Sequence, residues 1–280
     1  MFEVKYAGLT DTGRVREKNE DAWTAVPEMG LFIVSDGMGG HFAGDLASRI
    51  VVEALPKLLK RQLAATDSVP RKERDDERIE QCITHAISEL SMDLCAKAED
   101  EPGLDGMGAT VVLAFLRGTT AHIVHLGDSR AYVLRNRVLQ QLTRDHSLVQ
   151  LLIDNNEMQA EDAGTHPARG QLTRHVGMPG EPLPEAIALT LHAGDRLLLC
   201  SDGLTRMLED AEVCVLLLDR ERSQQAVCEQ LVSAANRVGG EDNITVLLVD
   251  IMPPAEDKVD NSIANEGRAE SVNHDELSQS

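Results

Sequence analysis

Aromatic residues are nearly missing from this 280-residue chain: one Trp, two Tyr and four Phe, 2% of the whole. A face that binds by stacking bases on rings has little to work with here, which weighs modestly against nucleotide or single-strand binding. Surplus positive charge is missing too. Against 47 Asp and Glu stand 27 Lys and Arg, a formal net charge of −20. Nucleic acid is excluded as an expected partner, because binding a phosphate backbone needs a basic surface. No apolar stretch approaches the length of a membrane span, and the start Met1-Phe2-Glu3-Val4-Lys5 has neither the basic nor the apolar region of a signal peptide. The expectation is a cytoplasmic protein without a membrane partner. Five cysteines, Cys82, Cys95, Cys200, Cys214 and Cys228, are odd in number and never spaced as a metal-binding pair. They read as reduced thiols packed as small hydrophobes, not as disulfides, a redox centre or zinc ligands. There is no Gly-x-Ser-x-Gly elbow and no Walker motif, and a cysteine-nucleophile phosphatase loop, Cys-x5-Arg, is expected to be absent as well.

What the chain does have is a set of aspartates at the ends of apolar runs. Asp36 follows Leu31-Phe32-Ile33-Val34, Asp128 follows Ile123-Val124-His125-Leu126, Asp202 follows Leu197-Leu198-Leu199-Cys200, and Asp242 precedes Ile244-Thr245-Val246-Leu247-Leu248-Val249. Continuous apolar runs are strands buried on both faces, so an acid where the run stops marks a rim of the sheet. If the four rims converge, their carboxylates repel one another unless cations hold them, and hard oxygen ligands select Mg²⁺ or Mn²⁺ over zinc or copper. Three of the acids sit in turn-forming wording: Ser35-Asp36-Gly37, Ser201-Asp202-Gly203 and Glu241-Asp242-Asn243. Taken singly, an Asp-Gly reads as a hairpin turn. A hairpin needs a second apolar run at once, and Met38-Gly39-Gly40-His41 and Leu204-Thr205-Arg206-Met207 follow instead.

With these residues the chain resembles the metal-dependent serine/threonine protein phosphatases of the protein phosphatase 2C type, in their compact bacterial form. The matching segments run from Thr10-Asp11-Thr12-Gly13-Arg14-Val15-Arg16-Glu17-Lys18-Asn19-Glu20-Asp21 through Val34-Ser35-Asp36-Gly37-Met38-Gly39-Gly40-His41 and Gly108-Ala109-Thr110. They continue with His125-Leu126-Gly127-Asp128-Ser129-Arg130-Ala131-Tyr132, Leu142-Thr143-Arg144-Asp145-His146-Ser147, Ser201-Asp202-Gly203-Leu204 and Gly240-Glu241-Asp242-Asn243-Ile244-Thr245, spanning roughly residues 3 to 251. Several motifs in order are far more specific than any one of them.

The resemblance implies two Mn²⁺ or Mg²⁺ ions, about 3.5–4 Å apart, that activate a water for in-line attack on phosphorus without a covalent phosphoenzyme. It implies that Asp36 bridges both ions, that the Gly37 carbonyl ligates one, and that Asp202 and Asp242 complete the other. Asp128 with Asp202 would form a weaker third-ion site. Asp21 would orient bound waters, with a plain exposed acid or helix cap as its alternative. Arg16 falls at the phosphate-binding position, where Arg supplies planar bidentate geometry. Arg14, two residues away, would point to the opposite side of an extended segment, and Arg130 reads as structural. The chain departs from many eukaryotic relatives in having Met38 directly after the Asp-Gly, where they carry a His that could serve as general acid; His41 is open to that duty or to capping the next helix. The implied substrates are phosphorylated proteins, with a cognate bacterial serine/threonine kinase as the opposing partner, and a monomer is the expected state.

The chain is long enough for one large or two small domains, with an apolar fraction of 42%. Periodicity gives strands near 3–9, 21–26 and 30–35, and a helix after Gly44 that Pro56 should kink or end early. A second helix over 77–98 follows a polar stretch from Thr66 to Glu80. Then come a meander over 109–143 broken at Arg117-Gly118 and Arg135-Asn136, strands at 185–192, 195–200 and 243–250, and helices near 209–218 and 223–238. Residues 145 to 184, with only a short helical pattern from Leu148 to Ile153, form a surface excursion that corresponds to the family's mobile flap, with His146, Arg169, Arg174 and His175 as substrate-contact candidates. Periodicity alone gives mixed α+β; the resemblance implies a four-layer α-β-β-α sandwich of two antiparallel sheets flanked by helix pairs. The expected organisation is a phosphatase domain over 1–252 and a disordered acidic tail over 253–280. Two readings from other classes stand beside this one: a catalytically silent phosphoprotein-binding relative, which should have lost one of Asp36, Asp202 or Asp242, and a phosphoesterase acting on nucleotides or small esters.

Overall fold

The computed structural model describes residues 2–39, 43–66 and 75–253. His41 and the segment after Pro253 lie outside the described residues, as does the middle of the polar stretch between the first two helices. In chain order the elements are β1 (Glu3–Asp11), β2 (Asp21–Val26), β3 (Leu31–Met38), α1 (Ala43–Thr66), α2 (Asp75–Asp100), β4 (Gly108–Ala109), β5 (Val111–Arg117), β6 (Thr120–Leu126), β7 (Arg130–Arg135), β8 (Val138–Gln141), α3 (Leu148–Asp154), β9 (Glu185–Thr190), β10 (Arg196–Cys200), α4 (Asp202–Thr205), α5 (Asp210–Leu217), α6 (Gln224–Val238) and β11 (Ile244–Met252). Two short 3-10 turns, Pro27–Met29 and Ala160–Thr165, complete the set among the described residues.

Two sheets result, both antiparallel throughout. One runs β1-β11-β10-β7-β8; the other runs β2-β3-β5-β6-β9 with β4 added to the end of β3. Side chains alternate across a strand, and the sequence exploits both faces. Phe32 and Val34 of β3 and Leu197, Leu199, Leu247, Val249 and Ile251 of the other sheet meet in a layer between the sheets. Leu31 and Ile33 face outward under α1 and α2 with Val51, Leu55, Ile83 and Ile87. Leu198, Cys200, Val246 and Leu248 face α5 and α6, against Val213, Leu217, Val227 and Leu231. Three apolar layers between four layers of structure are the α-β-β-α sandwich that the resemblance implied. They also explain why the central strands read as unbroken apolar runs.

Pro56 does not end α1, which runs on to Thr66. Val51, Leu55 and Leu59 are fully buried on either side of it, and that packing outweighs the one backbone hydrogen bond a proline forfeits. Of the five cysteines, all free, Cys82, Cys200 and Cys228 are buried and the other two are partly so.

At the end of the first sheet remote from the aspartates a charged pair is fully enclosed. Arg196, 1% exposed, donates from Nε and Nη2 to the two oxygens of Asp250 at 2.6 and 2.7 Å, and from Nη1 to the Leu217 and Asp219 carbonyls. Burial pushes the Asp250 carboxyl up, but hydrogen bonds from Arg196 and Gln224 outweigh it and hold the group below the usual carboxylate range. The pair ties β10 and β11 to the end of α5. Arg196→Met leaves Asp250 with only the part-exposed Arg220 and Gln224 as partners, and we expect a loss of about 3 kcal/mol in urea denaturation.

Candidate metal centre

The aspartates converge at one open end of the sandwich. Asp36 lies in β3, cross-strand from Asp21 at the start of β2. Asp128 lies in the connection from β6 to β7, Asp202 begins α4 directly after β10, and Asp242 directly precedes β11 by two residues. A cleft of about 390 Å³ is lined by Asp36, Asp128, Asp202 and Asp242, with Arg16, Glu20 and Arg206 at its walls. Asp21 sits behind it, 8% exposed.

The wording Ser-Asp-Gly has a job in each place. Ser201 Oγ donates to Asp21 Oδ2 at 2.7 Å and accepts from the Thr245 amide, fixing Asp21 behind Asp202. Ser35 Oγ donates to the Thr110 carbonyl; Thr110 Oγ1 accepts from the Asp36 amide and shares a 2.6 Å hydrogen bond with Ser129. Thus Gly108-Ala109-Thr110 fastens the Asp36 strand to the Asp128 connection. Neither glycine makes the expected turn. Gly37 continues β3, and Gly203 lies inside α4. Each is needed for close approach, since a Cβ would strike the Gly44 carbonyl at Gly37 or the Asn243 carbonyl at Gly203.

Electrostatically the cluster is costly as it stands. Burial, then repulsion from Asp21, Asp202, Asp128 and Asp242, raises the Asp36 carboxyl well above its ordinary range. Burial raises Asp128 and Asp202 too, each partly relieved by Arg206. Asp21 is pushed up to about 7, mainly by burial, with hydrogen bonds from Thr245 and Ser201 in opposition. Two enclosed oxygens, Asp21 Oδ1 and Asp202 Oδ1, have no hydrogen-bond partner. Orphaned carboxylate oxygens among mutually repelling acids are what a hard divalent cation satisfies, and the all-oxygen donor set fits Mg²⁺ or Mn²⁺.

Arg16 reaches the cleft from the loop between β1 and β2, donating from Nη2 to Asp242 Oδ2 at 2.8 Å. That loop is irregular, not extended. Asn243, which the sequence offered only as part of a motif, secures it: its amide donates to the Thr12 and Lys18 carbonyls, and its Oδ1 accepts from the Glu20 amide. Arg14 uses its backbone N–H on the Gly240 carbonyl and does not line the cleft. Arg130 is structural, with both oxygens of Asp145 at 2.8 Å. Of the four contact candidates in residues 145 to 184, Arg169 and His175 line the cleft. His146 is buried, and neither it nor Arg174, which is partly exposed and paired with Glu185 at 2.8 Å, lines the cleft. Met38 lines the cleft and has no proton to give.

Cys200 and Arg206 do stand in Cys-x5-Arg spacing, contrary to the expected absence of that loop. The packing removes its significance. Cys200 is fully buried, facing the helices, and burial pushes its thiol up to about 12, while Arg206 pairs with Asp202 and Asp242. A thiol nucleophile needs the opposite environment.

A second group of potential ligands, His125, His146 and Glu185, lies within 4.8 Å of one another. His125 Nε2 donates to the Arg144 carbonyl at 2.8 Å, leaving Nδ1 unpartnered. His146 Nδ1, however, accepts from the Gly127 amide, so its proton is on Nε2, the atom that faces Glu185 Oε1 at 3.2 Å. An Nε2 that carries hydrogen cannot ligate, and the cation beside Glu185 is already Arg174. The stacked rings, 4.5 Å between centroids, tie the end of β6, just before the Asp128 connection, to the segment after β8. Both are held neutral: burial lowers His125, and burial with the charges of His125 and Arg174 lowers His146 to about 4. Unfolded histidine titrates near 6.5, so this stability is complete above about pH 6.5 and drains away as pH falls toward 4. In EDTA the raised carboxyls of Asp21 and Asp36 act in the opposite sense and gain stability as pH falls, so the histidine contribution is read as the difference in melting temperature between wild type and a histidine variant over that range. His146→Asn, whose Oδ1 can still accept from Gly127, should melt lower than wild type at pH 7.5, with the gap closing as pH falls toward 5.

With this geometry in view, the comparisons with known proteins become specific. Residues 13–245 match the Protein phosphatase 2C family. Serine/threonine phosphatase stp of Listeria innocua is 39% identical over 244 residues, 86% of this chain and 93% of that one. The solved serine/threonine phosphatase of S. agalactiae superposes with a TM-score of 0.79 at 30% identity, covering 89% of this chain and all of that one. The catalytic domain of the serine/threonine protein phosphatase PstP, solved with two manganese ions, gives 0.71 at 32% identity, over 90% of this chain and 100% of that domain. The chain belongs to the protein phosphatase 2C family. It is accordingly a metal-dependent serine/threonine protein phosphatase of the α+β sandwich fold.

Proposed function

We propose that the protein hydrolyses phosphoserine and phosphothreonine on proteins by a two-metal mechanism centred on Asp36, Asp202 and Asp242, reversing the action of a cognate bacterial serine/threonine kinase. The observation that carries this reading is the convergence of mutually repelling carboxylates with two enclosed oxygens left unpartnered. Asp36 and the Gly37 carbonyl, with Asp202 and Asp242, would hold two ions, and Asp128 with Asp202 a weaker third. When bound, Mn²⁺ or Mg²⁺ supplies an acidified water and offsets the charge of the phosphoryl group. Arg16, half exposed at the mouth of the cleft, orients the phosphate dianion through charge-assisted hydrogen bonds. Asp21, fixed by Ser201, accepts a hydrogen bond from water at the buried end. Arg169 and His175 stand where the peptide flanking the phosphoresidue passes. Phosphoproteins made with ATP are cytoplasmic substrates, and we place the enzyme there as a monomer. No helix among the described residues is long and apolar enough to cross a membrane.

The test is phosphate release from a phosphothreonine peptide by the purified chain in EDTA, Mg²⁺ or Mn²⁺, beside AMP as a competing substrate class and Asp202→Asn as a control. Metal-dependent release that the substitution abolishes supports the reading. Turnover of AMP in preference to peptide would move the assignment to small phosphate esters, and binding of the phosphopeptide without release under any metal would indicate a silent relative.

A further inference from the structure

Arg206 is unexplained by any role so far assigned. It follows α4, four residues after Asp202, and its guanidinium enters the acid cluster, sharing Asp242 Oδ2 with Arg16 and alone reaching Asp202. One Nη pairs with Asp202 Oδ2, and the other donates to Asp242 Oδ2 at 3.3 Å. The side chain is three-quarters buried, and the charges of Asp202, Asp128, Asp242 and Asp36 all act on it. No other cation is buried in the cleft among the described residues, Arg16 being half exposed. Residues 169 and 170 lie over it. Arg169 Nη2 donates to the Arg206 carbonyl at 3.0 Å, and Gly170, at a φ of +85°, leaves the room that a Cβ would take from the guanidinium.

We propose that Arg206 is the resident counter-cation of the acid cluster, occupying the Asp202 and Asp242 carboxylates in the metal-free chain and being displaced when divalent cations bind. This rests on the metal-centre reading above. A guanidinium and a divalent cation cannot both sit on the same two carboxylates at short range without strong like-charge repulsion. Because the arginine is part of the chain, its local concentration is high and constant, so every ion that enters at Asp202 and Asp242 must expel it. Arg206 therefore weakens metal affinity and at the same time steadies the apo fold. Its departure also empties the space beside Gly170 that the guanidinium fills, while the Arg169 hydrogen bond, made to the Arg206 backbone carbonyl, stays in place.

The test is calorimetric titration of Mn²⁺ into the full chain, wild type against Arg206→Gln and Arg206→Lys, with melting temperatures in EDTA. We expect Arg206→Gln to bind Mn²⁺ about tenfold more tightly and to melt lower without metal, while Arg206→Lys, which keeps the charge, stays within about threefold of wild type. Equal or weaker Mn²⁺ binding by Arg206→Gln would overturn the role of Arg206 alone; no Mn²⁺ binding by the wild type would overturn the metal centre itself. A second measurement needs no variant. Phenylglyoxal labelling of wild-type Arg206, mapped by mass spectrometry, should be slow in EDTA and at least severalfold faster in Mn²⁺, and equal rates would contradict displacement.

Discussion

Asp36→Asn should lower metal-dependent phosphate release by at least about a thousandfold, and it should also raise the melting temperature of the metal-free chain. The two effects have one cause. In our reading Asp36 joins both ions, so its loss removes several kcal/mol of transition-state charge stabilisation. In the absence of ions the same carboxylate is a liability, enclosed and repelled by Asp21, Asp202, Asp128 and Asp242. An amide keeps its shape and sheds its charge. Relief of roughly 1 kcal/mol corresponds to a gain of about 2–4 °C for a domain of this size. Differential scanning calorimetry in EDTA and a phosphate-release assay in Mn²⁺ check both halves. A variant that is inactive and also less stable would mean that Asp36 is chiefly structural.

Arg16→Ala should lower kcat/KM for a phosphopeptide by roughly 100-fold, chiefly through KM, since charge-assisted hydrogen bonds contribute about 1.5–3 kcal/mol. Arg16→Lys should recover only part, because an ammonium cannot offer the bidentate fork. Arg14→Ala should stay within about twofold of wild type, as Arg14 holds its loop through the backbone and not through its side chain. Steady-state kinetics on all three separates phosphate binding from loop integrity. Equal losses at Arg14 and Arg16 would assign the effect to the loop.

Much of this was legible in the chain because strand ends are written in two letters. An Asp at the edge of an apolar run is a local signal, and three runs that halt at one together with a fourth that starts just after Asp242 predicted the cluster without any knowledge of the layers. Ser-Asp-Gly was legible as a unit but for the wrong reason. Its glycines admit a neighbouring backbone, Gly44 at Gly37 and Asn243 at Gly203, and close approach between distant segments leaves no local trace. Arg206 was hidden for the same cause: four residues after Asp202 on a short helix, it is a surface arginine until Asp242 comes round from β11 to meet it. Pro56 misled because a local rule about helix breaking was opposed by burial on a face whose partner, α2, lies elsewhere in the sequence. In residues 145 to 184 the periodicity found α3 at Leu148–Asp154. It could not say which of four basic residues reach the cleft, since that depends on which ones Glu185 and Gly127 capture first.

The most direct test of the account is an anomalous-difference map from crystals grown in Mn²⁺ and measured at the manganese edge. The account predicts two strong peaks touching the Asp36 carboxylate, one shared with Asp202 and Asp242, with the Arg206 guanidinium turned away from both acids. Manganese bound at His125 and His146, or no ordered ion among the aspartates with Arg206 still in place, would contradict it.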